Sequence, residues 1–253
     1  MNGKNYNQNI NMKTLIIPDI HGKTIWRSIL AKEQPDRVIF LGDYFDAYEK
    51  ISAAEQIFNY KQIVELKEKG EIEVIMLIGN HDHHYFPEIG YTGTSGYQHR
   101  GKHDLEYAIS ETKQHLQAAY QMDEYLFTHA GVSEVFMDQV FGKDGWNIDN
   151  IAEELNELFK YKPHAFEFNG IDGYGDDPEQ TPIWIRPRSL MRANKNSQIK
   201  KKYIQIVGHT KVYSIDKGAS TGGRYYFVDS FDSSKEYLTI NNGHVKINKY
   251  DKG

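Results

Sequence analysis

Thr14-Leu15-Ile16-Ile17-Pro18-Asp19-Ile20-His21 is a short, mostly apolar run that stops on a polar cluster, and the chain repeats that design twice more. Arg37-Val38-Ile39-Phe40-Leu41 runs into Gly42-Asp43, and the run Ile72 to Ile78 ends at Gly79-Asn80. Apolar runs this short, bounded by turn residues, are buried strands rather than helices. The intervening segments have a different period. Residues 24–33 read as a helix, and residues 52–69 place Ala53, Ile57, Tyr60, Ile63, Val64 and Leu66 mostly at helical spacing before a stop at Gly70. Strand, helix, strand, helix, strand predicts a largely parallel sheet with helices packed on it. In such sheets ligands bind beyond the carboxyl ends of the strands, so the three polar clusters should meet in space.

Further along, residues 83–103 carry four glycines, four of the eleven histidines and three tyrosines, which predicts a long loop over the same edge. Residues 104–121 read as a helix, Tyr125-Leu126-Phe127-Thr128 as a strand ending at His129-Ala130-Gly131, and residues 132–140 and 147–160 as helices. The proline-rich stretch 161–190 predicts an irregular cap. Another strand, Tyr203 to Val207, ends at Gly208-His209-Thr210. The tail pairs 225–228, 237–240 and 245–248 as antiparallel strands, with a hairpin turn at Asn241-Asn242-Gly243. We expect residues 13–253 to form a single domain. Residues 1–12 form a polar extension, and Met12 is a candidate natural start.

Composition narrows the function. The 253 residues are 39% hydrophobic and 13% aromatic, which suits a globular chain, and the net charge of −5 gives no reason to expect broad nucleic-acid binding. With no cysteine, a disulfide framework and a thiolate metal site are both excluded. No run approaches the ~18 apolar residues of a membrane span, and the N-terminus lacks the apolar core of a signal peptide. A cytoplasmic protein is the expectation.

Each strand end carries side chains suited to holding cations. Asp19 and His21, two residues apart, can face one side of an extended turn. Gly42 lets the backbone bend so that Asp43 points back over the sheet edge, with Asp46 three residues on. Asn80 offers a neutral amide oxygen, and the adjacent His81 a proton donor near neutral pH. His129 and His209 end two further strands.

This ordered series, Asp19-Ile20-His21, Gly42-Asp43 to Asp46, Gly79-Asn80-His81-Asp82, Thr128-His129-Ala130-Gly131 and Gly208-His209-Thr210, resembles the calcineurin-like metallophosphoesterase superfamily. Its bacterial and phage phosphoprotein phosphatases and their dinucleoside-tetraphosphatase relatives are the most similar branch. The resemblance implies an α/β fold of four layers (αββα), two mixed sheets flanked by helices. It implies that Asp19 and His21 hold a first metal ion, that Asp43 bridges two, and that Asn80, His129 and His209 complete the second. Manganese is the expected metal, with iron or zinc as alternatives, because every donor is oxygen or nitrogen. The implied reaction is in-line attack of a metal-bridging hydroxide on phosphorus, with His81 protonating the leaving group and Asp46 orienting His81.

Two positions depart from the pattern. Protein phosphatases of this type continue past the second aspartate with Arg-Gly, where this chain has Ala47-Tyr48. The candidate phosphate clamp is then Arg186, favoured over Arg188, in Trp184-Ile185-Arg186-Pro187-Arg188. Many superfamily members carry Gly-His-x-His, where Lys211 replaces the second histidine; that points towards the phosphatase branch and away from nucleases. Phosphoserine or phosphothreonine protein, or a small phosphometabolite, is the expected substrate. Dinucleoside polyphosphate or cyclic-nucleotide hydrolysis is the alternative, and a non-catalytic scaffold of the same fold a third reading. His83, His84, His99 and His103 are expected to be substrate-facing or solvated rather than additional ligands.

Overall fold

The computed structural model describes residues 12–90, 95–218 and 222–251. Apart from Met12, the polar extension expected at residues 1–12 lies outside the described residues. In chain order the elements are β1 (Thr14–Ile17), α1 (Ile25–Glu33), β2 (Arg37–Phe40), α2 (Ala53–Lys69), β3 (Glu73–Leu77), α3 (Asn80–His83), α4 (Lys102–Thr112), β4 (Leu116–Gln117) and β5 (Ala119–Met122). They continue with β6 (Tyr125–Thr128), α5 (Glu134–Phe141), α6 (Ile151–Tyr161), α7 (Pro187–Ala193), α8 (Gln198–Lys202), β7 (Ile204–Val207), β8 (Tyr225–Phe227), β9 (Glu236–Asn241) and β10 (His244–Lys249).

Two mixed sheets result, ordered β10-β9-β1-β2-β3-β4 and β5-β6-β7-β8. Successive residues of a strand point to opposite faces, and here both faces are apolar. Leu15, Ile17, Val38, Phe40, Val74 and Met76 share a core with Trp26 and Ile29 of α1 and Tyr60 and Ile63 of α2. The alternate residues Ile16, Ile39, Leu41, Ile75 and Leu77 pack instead with Phe127, Ile206 and Val228 from the second sheet. The continuous apolar runs in the sequence therefore mean strands covered on both sides, by helices outside and a sheet inside. Each such side chain contributes ~1.5–3 kcal/mol on burial, so register is strongly fixed.

Register is what positions the polar clusters. Ile17 lies beside Phe40, and Phe40 beside Met76, all in parallel strands. Phe127 lies beside Ile206, and Val207 beside Phe227, also in parallel. Every one of these strands consequently exits at the same end of its sheet. Helix α2 behaves as its sequence dictates. Ser52 caps it in a reciprocal box with Glu55, and Gly70 ends it at φ 65°.

Two expectations fail. The helix expected over 104–121 stops at Thr112, and Leu116–Gln117 and Ala119–Met122 are strands β4 and β5. Apolar spacing there suits either state, and a distant partner decides it. Asn156 of α6 accepts from the amides of Ala118 and Ala119 at 2.9 Å each, and donates to the Ala119 carbonyl. Residues 225–228 do not join the tail meander either. Strand β8 lies parallel to β7, while the β9–β10 hairpin pairs antiparallel with β1 of the other sheet. Alternation in sequence does not tell one sheet edge from another. Among the described residues no helix is long and apolar enough to cross a membrane.

Candidate metal centre

The turns after β1 and β2 are tied together first. The amides of Ile20 and His21 both donate to the Asp43 carbonyl, at 3.0 and 2.7 Å. That wrap places His21, Asp43 and Asp46 at φ 42°, 51° and 58°, and His209 is at 64°. A left-handed backbone is uncommon for residues with a side chain, and here it marks four of the sequence-singled positions. Asp19, His21 and Asp43 are all buried, with one ligand atom from each lying within 4.8 Å of the other two.

Second contacts fix which atoms face inward. His21 Nδ1 is 2.8 Å from the Phe45 carbonyl, so the proton sits there and Nε2 keeps its lone pair, 3.6 Å from Asp43 Oδ2. His129 repeats this arrangement. Its Nδ1 donates to the Leu41 carbonyl at 2.8 Å, and its Nε2 lies 3.4 Å from Asp43 Oδ2 and 3.0 Å from Asn80 Oδ1. His209 is turned the other way, with Nε2 donating to the Trp184 carbonyl at 3.0 Å and Nδ1 facing Asn80 Oδ1 at 2.9 Å. Backbone carbonyls thus hold the three imidazoles with their free nitrogens turned towards Asp43 and Asn80.

Those residues fit divalent cations. The free atoms are carboxylate oxygens, an amide oxygen and imidazole nitrogens, all acceptors, gathered where water is excluded. Burial holds His21 down to about 4, and burial with the nearby Arg186 and His129 holds His209 well below its usual range, so both rings are neutral and able to ligate. Burial first, and then the neighbouring Asp229 and Asp43 carboxylates, push the Asp19 carboxyl well above the usual range. For Asp43 burial acts upward too, but the facing imidazoles of His129 and His81 outweigh it and hold it low. The approach is so close that a Cβ on Gly79 would stand 2.1 Å from Asp43 Oδ1, and one on Gly208 2.0 Å from Asp19 Oδ1. Only glycine admits either carboxylate.

Beside this cluster, His81 Nδ1 pairs with Asp46 Oδ2 at 2.9 Å. Asp46 is fully buried, and it also takes the Tyr85 hydroxyl at 2.5 Å and His84 Nε2 at 2.9 Å. Burial favours neutral His81, but the Asp43 charge and the Asp46 hydrogen bond outweigh it and raise its pKa. A cavity of about 560 Å³ opens in front of His21, Asp43, Asn80, His81 and His209, with Arg186 in its wall. Arg186 is anchored through Nε to the Tyr174 carbonyl at 2.8 Å and through Nη1 to Thr210 Oγ1 at 3.1 Å. Arg188 is exposed and does not line the cavity.

The sequence model of the calcineurin-like phosphoesterases matches residues 12–245. The chain belongs to this family. A cold-active protein-tyrosine phosphatase of a psychrophilic Shewanella species superposes with a TM-score of 0.65 at 15% identity, over 95% of this chain and 78% of that one. A protein serine/threonine phosphatase of Saccharomyces cerevisiae, described as similar to human phosphatase PP5, superposes with a TM-score of 0.56 at 14% identity, over 98% and 82%. Among curated proteins no match was found. At these identities the two neighbours share with this chain its fold, two mixed sheets flanked by helices.

Within this calcineurin-like fold, the four histidines expected to be substrate-facing or solvated divide into two pairs. His83 and His84 are buried, whereas His99 and His103 are exposed. His83 Nε2 bonds the Pro163 carbonyl at 2.9 Å, and His103 faces Glu106. Burial lowers His83 from 6.5 to about 4. Above pH 6.5 the ring is neutral folded and unfolded, and its contribution to stability is complete. As pH falls towards 4 only the unfolded chain takes the proton, costing ~3 kcal/mol of stability in total. His83→Gln should therefore flatten the loss of urea resistance between pH 7 and pH 4.5, relative to wild type. An unchanged pH slope would remove this role from His83.

Sequence reasoning missed Asp229 and Tyr85. Asp229 follows β8 as His129 follows β6 and His209 follows β7, lines the cavity, and is pushed up to about 6 by burial and by Asp232 and Asp43. Its position just past a strand was the available signal. Tyr85 carried none, because only the fold brings its hydroxyl to Asp46.

Proposed function

We propose that this chain is a two-metal phosphomonoesterase. In this reading Asp19, His21 and Asp43 hold one ion, while Asp43, Asn80, His129 and His209 hold the other, with manganese, iron or zinc all compatible. The observation that carries it is the convergence of three backbone-anchored imidazoles, an amide and two carboxylates from five strand ends. Divalent ions bound there lower the pKa of water and neutralise phosphate charge.

The chain's own residues do the rest. Arg186 has its Nε and Nη1 tied back to protein, which leaves the Nη2 end of its guanidinium for phosphate oxygens. His81 presents Nε2 to the cavity with its proton retained, and Asp46 fixes the ring, so the leaving oxygen receives a proton as its bond to phosphorus breaks. Lys211, in place of a second histidine, favours monoesters over the diesters of nuclease relatives. Residues 13–253 act as one domain in this reading, with 83–103 and 161–190 lining the substrate side. A phosphoprotein or small phosphometabolite then meets the site from the open face of the cavity.

Purified protein with Mn²⁺ should hydrolyse p-nitrophenyl phosphate, and chelator should abolish turnover. Absence of hydrolysis with manganese, iron, zinc or magnesium, on this substrate and on a phosphopeptide, would refute the proposal.

A further inference from the structure

The two departures from the family pattern, Tyr48 and Lys211, meet in space. Lys211 Nζ lies 4.1 Å from the centroid of the Tyr48 ring, although the two residues come from different strand-end loops. Its ammonium also bonds Asp232 Oδ2 at 2.7 Å, and Asp232 Oδ1 takes Lys23 Nζ at 2.8 Å. Asp232 is thus shared by two lysines, and Asp229, also in the cavity wall, acts on Lys211 as a second acidic neighbour, so the lysine is held in place by carboxylates. Lys211 is half exposed and lines the cavity together with Tyr48 and Arg186. At the other end of this row, the Tyr48 hydroxyl is 3.4 Å from His81 Nε2. An exposed ion pair of this kind contributes little to stability, which leaves its placement to be explained by what enters the cavity.

We propose that Lys211, stacked on Tyr48 and tethered by Asp232, is the second cationic arm of the phosphate site. It acts together with Arg186 and stands in for the arginine absent after Asp46. This rests on the phosphoesterase reading above. The ring of Tyr48 holds the lysine stem and ammonium over the cavity by cation–π attraction, which costs the side chain less freedom when a phosphoryl oxygen arrives. The ligand class is a phosphoryl group with at least two non-bridging anionic oxygens, one for each arm.

The test is inorganic phosphate binding to the metal-loaded full chain, measured by calorimetry, beside KM and kcat for p-nitrophenyl phosphate. Lys211→Met should weaken phosphate binding about tenfold or more, as expected for one lost charge-assisted hydrogen bond, and raise KM by more than it lowers kcat. Lys211→Arg should regain most of the affinity, and Tyr48→Leu should lose part of it. Metal content in all three should equal wild type. Wild-type phosphate affinity in Lys211→Met, or no recovery in Lys211→Arg, overturns the inference while leaving the phosphatase reading intact. Lysine-dependent phosphate binding without turnover of any phosphoester would support it and overturn that reading instead.

Discussion

Asp43→Asn should lower phosphoester hydrolysis by at least ~10³-fold and reduce bound metal, while the fold persists. Asp43 Oδ1 accepts from the His81 amide at 2.9 Å, and asparagine can keep that bond. Asparagine also tolerates the φ of 51° at this position. The other oxygen is where the change acts. Oδ2 lies 3.6 Å from His21 Nε2 and 3.4 Å from His129 Nε2, between the two halves of the proposed centre. An amide NH₂ there would donate to the imidazole lone pairs, occupying atoms proposed as ligands and removing the one charge shared by both halves. Metal analysis after gel filtration, with kcat on p-nitrophenyl phosphate, would measure both effects. Two bound ions and activity within tenfold of wild type would rule out a bridging Asp43.

His81→Asn should cut kcat by ~10²-fold or more on alkyl phosphates and far less on p-nitrophenyl phosphate. The difference arises because nitrophenolate leaves without a proton, whereas an alkoxide does not. His81 meets both requirements of an acid. Its Nδ1 is fixed on a carboxylate that His81 and His84 hold below its usual range against the effect of burial, and its Nε2 faces the cavity. The His81 amide still bonds Asp43, so metal content should stay at the wild-type level. Equal losses on both substrates would point to a ground-state binding role and dismiss proton donation.

Much of the proposed centre was legible because its residues sit at the ends of short apolar strands. Asp19, His21, Asp43, Asn80, His129 and His209 each lie within four residues of the end of such a run, and parallel pairing with fixed register brings these ends together. The preference for Arg186 over Arg188 came from a short segment, and in the fold Arg186 stands in the cavity wall while Arg188 faces solvent. His83 and His84 read as surface residues because a histidine cluster carries no sign of burial. Hydrogen bonds to Pro163 and Asp46 from elsewhere in the chain make them part of the core.

Period and punctuation in the sequence determined the alternation of strands and helices, the points at which the early strands end, and the kinds of donor found there. These are local properties, set by side-chain shape, apolar spacing and the freedom of glycine. Tertiary structure alone decided the rest. It ended α4 early, through Asn156, and sent β8 to a different sheet from its neighbours in sequence. It also chose which nitrogen of each histidine is free, through carbonyls of Phe45, Leu41 and Trp184 that lie 24, 88 and 25 residues away. Hydrogen-bond partners so far apart in the chain leave no pattern at short range, and so the last details of the site are written only in the packed molecule.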